Sequence, residues 1–196
     1  MAESAKPISS GSAGNAGSSL EALMEAYQRG DASAGDELFL RVGQQLYRFM
    51  AVQSGDRRHA EDLVQDLWLR IHKARNTYRP GQPVLPWLYA IARFVKVDGY
   101  RKRRSERFEE PLMPGFEPKA EVQGEANVLP EIDQLLAGLP ESQRDVVLML
   151  KVSGLSLEEV ARATASSVGS VKQKAHRAYE KLRATLVNLK PRGGDA

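Results

Sequence analysis

From Leu20 almost to the end of the chain, apolar residues recur every three or four positions, the repeat of a helix that buries one face. Val, Ile and Thr never gather into alternating strand-like runs, so the pattern predicts an all-α protein. The repeat fails in one place. Between Ser105 and Pro130 stand Pro111, Pro114, Pro118 and Pro130, with Gly115 and Gly124 among them. Each proline would leave a helical turn without its donor and clash with the turn before it. The spacing therefore predicts a flexible linker over 105–130. It is acidic, because Glu106, Glu109, Glu110, Glu117, Glu121 and Glu125 outnumber Arg107 and Lys119. Two small helical domains, 20–104 and 131–190, flank it. Residues 1–19, rich in Ser, Ala and Gly, are too polar to bury and read as a disordered tail. Residues 191–196 form a second tail.

The C-terminal domain shows three helices in succession. The first opens at Pro140, a residue suited to a first turn, and runs through Val146, Val147 and Leu150 until Gly154 stops it. Ser156-Leu157-Glu158-Glu159 is a capping box that starts a short helix from about Leu157 to Thr164. The third begins near Ser167 and runs to about Leu189. A short capped helix, a tight turn and a longer basic helix make a helix-turn-helix.

At about 100° per residue, Val171, Ala175, Ala178 and Leu182 of the long helix share a narrow stripe that must face the core. Gly169, Gln173, His176 and Arg177 fall opposite, with Ser170, Lys172 and Lys174 on the flanks. Such a face at a helix N-terminus suits the edges of bases and phosphates in a major groove. On a lone basic helix the same residues would read as solvated charge, and His176 fits either role. The preceding helix and turn favour DNA.

In the N-terminal domain, Gly55-Asp56 precedes a helix from Arg57 to about Arg75. Ala60, Leu63, Val64, Leu67, Trp68 and Ile71 line one face; Asp62, Gln65, Asp66 and Leu69 project away from its centre. Acids lie early and bases late, which suits the helix dipole. A second helix starts near Pro86, carries Trp87 and Tyr89, passes Arg93, Lys96 and Asp98, and ends in Arg101-Lys102-Arg103-Arg104. Aromatic side chains can stack on exposed bases, and a basic run can follow a phosphate backbone. Taken singly, Trp87 and Tyr89 are more often core residues than base-stacking ones.

Composition narrows the field. The net charge is only +3, so the placement of charge matters more than its sum. There is no cysteine, and His59, His72 and His176 share no ligand spacing, which predicts no metal and no cofactor. No apolar run reaches the roughly 18 residues of a membrane span, and the N-terminus lacks the apolar stretch of a signal peptide. The expectation is a cytoplasmic protein without membrane insertion. No Ser/His/Asp arrangement, phosphate-binding Gly loop or metal-placed carboxylate cluster is present, which predicts no catalytic residues and no enzyme.

Four segments, AEDLVQDLWLRIHK, WLYAIARFVKVDGYRKRR, LPESQRDVVLMLKVSGLSLEEVA and VGSVKQKAHRAYEKLR, resemble in order and spacing the signatures of extracytoplasmic-function RNA polymerase sigma factors. The resemblance covers about Tyr27 to Leu186. It implies that Asp62, Gln65, Asp66 and Leu69 meet core RNA polymerase. It implies that Trp87, Arg93, Lys96, Asp98, Arg101 and Lys102 serve the −10 promoter element. The helix-turn-helix would read the −35 element through Ser170, Lys172, Gln173, Lys174, His176 and Arg177. The acidic segment would thread the RNA exit path, although a plain tether fits its composition as well. The implied partners are core polymerase, promoter DNA and an anti-sigma factor.

Two positions depart from the family. Phe94 stands where Asn is common, which puts −10 preference in question. The recognition helix opens Gly169-Ser170-Val171-Lys172-Gln173-Lys174 in place of the usual Gly-Thr-Val-Lys-Ser-Arg, which points to an unusual −35 preference. A competing reading is a sigma-like decoy that sequesters an anti-sigma factor. Such a decoy would be expected to shed DNA-facing charge, yet Arg101 to Arg104 and Lys172 to Arg177 remain basic.

Overall fold

The first helix of the N-terminal half begins where the chain supplies a cap. In the structure, a computed structural model that describes residues 18–54, 57–109 and 135–189, Ser19 opens α1 (Leu20–Gln28) by accepting the Ala22 N–H at 3.2 Å. α2 (Ala32–Ser54) and α3 (Arg57–Ala74) follow. After a single 3₁₀ turn at Arg75–Thr77 comes α4 (Val84–Glu109). The core of this unit includes Leu23, Leu38, Phe49, Leu67, Ile71 and Leu88, all fully buried. The predicted apolar face of α3 is the face that packs: Ala60, Leu63, Leu67 and Ile71 are buried, with Val64 and Trp68 partly so.

α4 is longer than its sequence pattern predicts at both ends. It starts two residues before Pro86, because a proline within the first turn lacks only a donor that has no acceptor there. It also continues through 105–109, the first residues of the predicted linker. Nothing before Pro111 obliges the helix to stop, and the residue ahead of a proline is the one biased out of helical geometry. The remainder of that linker, and both predicted tails except Ser18 and Ser19, lie outside the described residues.

The C-terminal half has α5 (Glu141–Val147), whose N-cap is Pro140, running into a π turn at Leu148–Val152. Gly154, at φ +67°, then reverses the chain at no steric cost. α6 (Leu157–Ala163) and α7 (Val168–Leu189) complete the unit. No strand occurs among the described residues.

The two halves are not held apart. Their buried apolar residues form one contiguous cluster, from Leu23 to Ala178, and α4 lies along α6. Polar contacts fix the register of this junction. The Tyr89 hydroxyl donates to Ser153 Oγ at 2.5 Å, and Gln45 Nε2 donates to the Ser153 carbonyl at 2.7 Å. Burial pushes the Tyr89 phenol up to about 12, against smaller opposing effects of its Ser153 and Gln45 hydrogen bonds. Tyr89 thus serves the core, with its ring edge-on to Phe49 at 5.0 Å, and is not available to stack on a base in this arrangement.

Candidate nucleic-acid interface

The helix-turn-helix is built from local rules. Ser156 Oγ accepts the Glu159 N–H at 3.2 Å, and the Glu159 carboxylate accepts the Ser156 N–H at 2.8 Å, which completes the capping box. At the other end of α6 the Ser166 N–H donates back to the Ala161 carbonyl at 2.9 Å, and the Ala165 N–H donates to the Arg162 carbonyl at 3.2 Å. This closure requires a left-handed residue, and the chain places Ala165 there at φ +47°. Ser167 then starts α7, its Oγ accepting the Ser170 N–H at 3.2 Å.

The turn orients α7 as its pattern predicts. Val171, Ala175 and Ala178 are buried against the core and Leu182 is partly so. Lys172, Gln173, His176 and Arg177 are exposed; Ser170 and Lys174 are half-buried at the edges. His176 Nε2 lies 3.3 Å from Glu180, an i,i+4 contact that is ionic only if the imidazole is protonated. A strip of cations and amides thus stands on one side of the first turns of a rigidly packed helix. Such a strip can contact phosphates and base edges together.

In the N-terminal half, Asp62, Gln65 and Leu69 are exposed on α3, and Leu69 keeps 51% of its surface in solvent. Asp66 is half-buried and paired with Arg70 at 3.1 Å. Arg70 also reaches Asp98 at 2.7 Å, tying α3 to α4. The sequence pattern does not single out Arg70, because a pairing between helices leaves no trace in a single-helix periodicity. Nor does it mark Phe39 and Leu40 of α2, both exposed; the Phe39 ring lies tilted against Trp68, with centroids 4.8 Å apart. Exposed apolar side chains at Phe39, Leu40 and Leu69 with the acids of α3 make this the face best suited to another protein.

The residues expected at the −10 element divide. Trp87 is half-buried, its indole donating weakly to Thr77 Oγ1 at 3.4 Å and its ring edge-on to Tyr78. Asp98 is exposed and paired with Arg70. Phe94 is 69% exposed, so the departure from the family pattern sits on the surface and costs the core nothing. Arg101 and Lys102 belong to the helical backbone of α4, with side chains outside the described part. Arg93 and Lys96 face the other half of the molecule. Arg93 Nε contacts Asp145 at 3.1 Å; Lys96 Nζ contacts Asp145 at 2.6 Å and Glu141 at 2.8 Å. The Lys96 ammonium holds the Glu141 carboxyl below the usual carboxylate range.

Among the described residues no cluster of side chains could hold a metal ion, and no helix is long and apolar enough to cross a membrane.

Residues 38–106 match the family described as Sigma-70 region 2, and residues 129–182 match Sigma-70, region 4. The ECF RNA polymerase sigma factor SigF of Caulobacter vibrioides is 35% identical over 164 residues, covering 83% of this chain and 91% of that one. The RNA polymerase sigma factor CarQ of Myxococcus xanthus is 29% identical over 175 residues, 85% of this chain and 97% of its own. Among solved structures, CnrH in complex with the cytosolic domain of CnrY superposes with a TM-score of 0.69 at 25% identity, covering 87% of this chain and 98% of that one. The sigma factor RpoE of Bartonella quintana, solved in complex with the anti-sigma factor NepR, shares the fold with a TM-score of 0.62 at 23% identity, covering 79% and 97%. With the successive helices, the helix-turn-helix and matches of this extent, the chain belongs to the extracytoplasmic-function RNA polymerase sigma factors.

Proposed function

We propose that this sigma factor binds core RNA polymerase through α3 and the adjoining surface of α2, and places two DNA-reading surfaces on a promoter. The observation that carries this reading is the start of α7, where Lys172, Gln173, His176 and Arg177 stand exposed opposite a buried Val171, Ala175 and Ala178 stripe. This surface reads the −35 element, with Ser170 and Lys174 at its edges. α4 serves the −10 element through Trp87, Arg93, Lys96, Asp98, Arg101 and Lys102. Asp62, Gln65, Asp66 and Leu69 form the polymerase contact.

Each half alone offers a short DNA surface, so specificity and affinity come from both acting together once polymerase fixes their separation. The protein is an initiation subunit and not an enzyme, and it works in the cytoplasm with the polymerase. The sigma factor RpoE of Bartonella quintana, of the same fold, was solved with the anti-sigma factor NepR, and a partner of that kind is part of the reading proposed for this chain.

The test is transcription by sigma-free core polymerase on a library of genomic fragments. Adding the chain is expected to yield discrete promoter-specific transcripts. Tight anti-sigma binding with no transcript would instead support the decoy reading.

A further inference from the structure

Three side chains of α1 reach across to the segment that joins α3 to α4. Glu21, Glu25 and Gln28 follow one another at helical spacing, so they share one stripe of α1, half-buried. Gln28 Nε2 donates to the Arg75 carbonyl at 2.7 Å and to the Tyr78 carbonyl at 2.8 Å. Glu25 accepts the Gly81 N–H at 3.3 Å, and Glu21 accepts the Val84 N–H at 3.2 Å. Val84 opens α4, so its N–H has no acceptor within its own helix. Glu21 thus caps a helix that starts 63 residues further along the chain.

The joining segment has some order of its own. Arg79-Pro80-Gly81-Gln82 closes through the Gln82 N–H, which donates to the Arg79 carbonyl at 3.2 Å. Pro80 and Gly81, the latter at φ +77°, stand at the two central positions where a type II turn favours them. Tyr78 is buried; its hydroxyl donates to the Gln82 carbonyl and its ring lies edge-on to Trp87, with centroids 5.8 Å apart. What α1 adds is a hold on the backbone at both ends of the segment, at Arg75 and at Val84. Asn76, Thr77, Arg79 and Gln82 remain exposed beside Trp87.

We propose that Glu21, Glu25 and Gln28 are positioning residues for promoter recognition: α1 is a splint that holds the 75–84 segment and Trp87 in the arrangement that meets the −10 element. The inference rests on the assignment of Trp87 and α4 to that element. It adds residues that precede 38–106, the stretch that matches Sigma-70 region 2. Anchoring of this kind preorganises the surface. A segment already fixed costs less to order when DNA binds. It also discriminates better, because a wrong base cannot be accommodated by a shift of the turn. Hydrogen bonds to the backbone suit the task, since they set the path of the chain while the side chains of Asn76 and Arg79 stay turned to solvent.

Two readouts on the full chain test the splint. In a Trp68→Phe background Trp87 is the one tryptophan left, and its quenching by iodide reports whether the segment still covers it. Gln28→Leu and Glu21→Leu should each raise the quenching; Glu21→Gln, which keeps an accepting oxygen, should not. With reconstituted polymerase, transcription is then compared between a promoter found with this chain and single-base variants of its −10 element. In Gln28→Leu and Glu21→Leu the preference for the parent promoter should shrink by about fivefold, and Glu21→Gln should restore it. Core-polymerase affinity and discrimination among −35 variants should not change. A mere loss of stability would lower output from every promoter alike and leave the preference as it was. Circular dichroism checks the fold; should Gln28→Leu lose helix content, Glu21→Leu decides. Unchanged quenching in the Leu variants overturns the splint, and so does raised quenching with full −10 preference where Trp87→Ala lowers that preference. A Trp87→Ala chain that keeps full preference overturns instead the −10 assignment of α4, and this inference with it.

Discussion

Ala165 shows how a single backbone angle holds the DNA-reading unit together. At φ +47° it occupies the left-handed region that a Cβ disfavours, in the turn that sets α7 against α6. Ala165→Gly removes the Cβ clash at some entropic cost in the unfolded chain, so it is expected to leave stability unchanged or raise it by up to ~1 kcal/mol. Ala165→Val should lower it by more than about 1 kcal/mol; thermal melts of the two variants check the sign.

Tyr89 makes a second prediction. Its phenol ionises near 10 in an unfolded chain and at about 12 when folded, so the folded form retains a proton that the unfolded form has lost between those values. Stability from this group is therefore full below pH 10 and is lost as pH rises toward 12, by an amount on the order of 2–3 kcal/mol. Melting the chain across this range should show the decline, and Tyr89→Phe should flatten it. At the DNA face, Arg177→Ala is expected to weaken −35 recognition about tenfold while leaving polymerase affinity intact. A gel-shift series with the −35 element and a core-binding competition measure the two separately, and equal loss of both would mean that α7 has been assigned the wrong role.

The elements differ in how plainly the sequence announces them. α6 and α7 were fully legible, because the capping box at Ser156 and Glu159 and the periodicity of Val171, Ala175 and Ala178 are short-range signals that the fold obeys. α4 was legible in its centre and not at its ends, since Pro86 is tolerated within a first turn and residues 105–109 contain no breaker. The exposed strip on α7 could be read by phasing alone. The engagement of Arg93 and Lys96 could not, because it depends on Asp145, which stands 49 residues beyond Lys96 and on another helix.

α3 carries the polymerase prediction. Asp66→Arg removes an i,i+4 pair with Arg70 that contributes only about 0.3–0.5 kcal/mol, so the helix should persist. The new cation on this acidic, partly apolar face should reduce core-polymerase affinity about tenfold or more. Unchanged affinity in a competition assay would count against α3 as the contact.

For the whole molecule, the consequence of two reading units is geometric. In the free chain they are packed together, α4 along α6, with Tyr89 and Gln45 both anchored on Ser153. On the proposed reading they contact two DNA elements at once, with Arg93 and Lys96 on the −10 side, whereas in the free chain these two cations are bound to Asp145. Joint reading of two elements needs the halves held at one distance and one rotation about the duplex. B-DNA turns once in about 10–10.5 base pairs, so inserting about 5 between the elements moves one of them to the opposite side. The most direct measurement is run-off transcription by the reconstituted polymerase from a promoter found with this chain and from the same promoter lengthened by that half turn. Output from the lengthened promoter should fall at least about tenfold and partly return when a full turn of about 10 base pairs is inserted instead. Equal transcription from both the original and the half-turn promoter would contradict joint use of the two units.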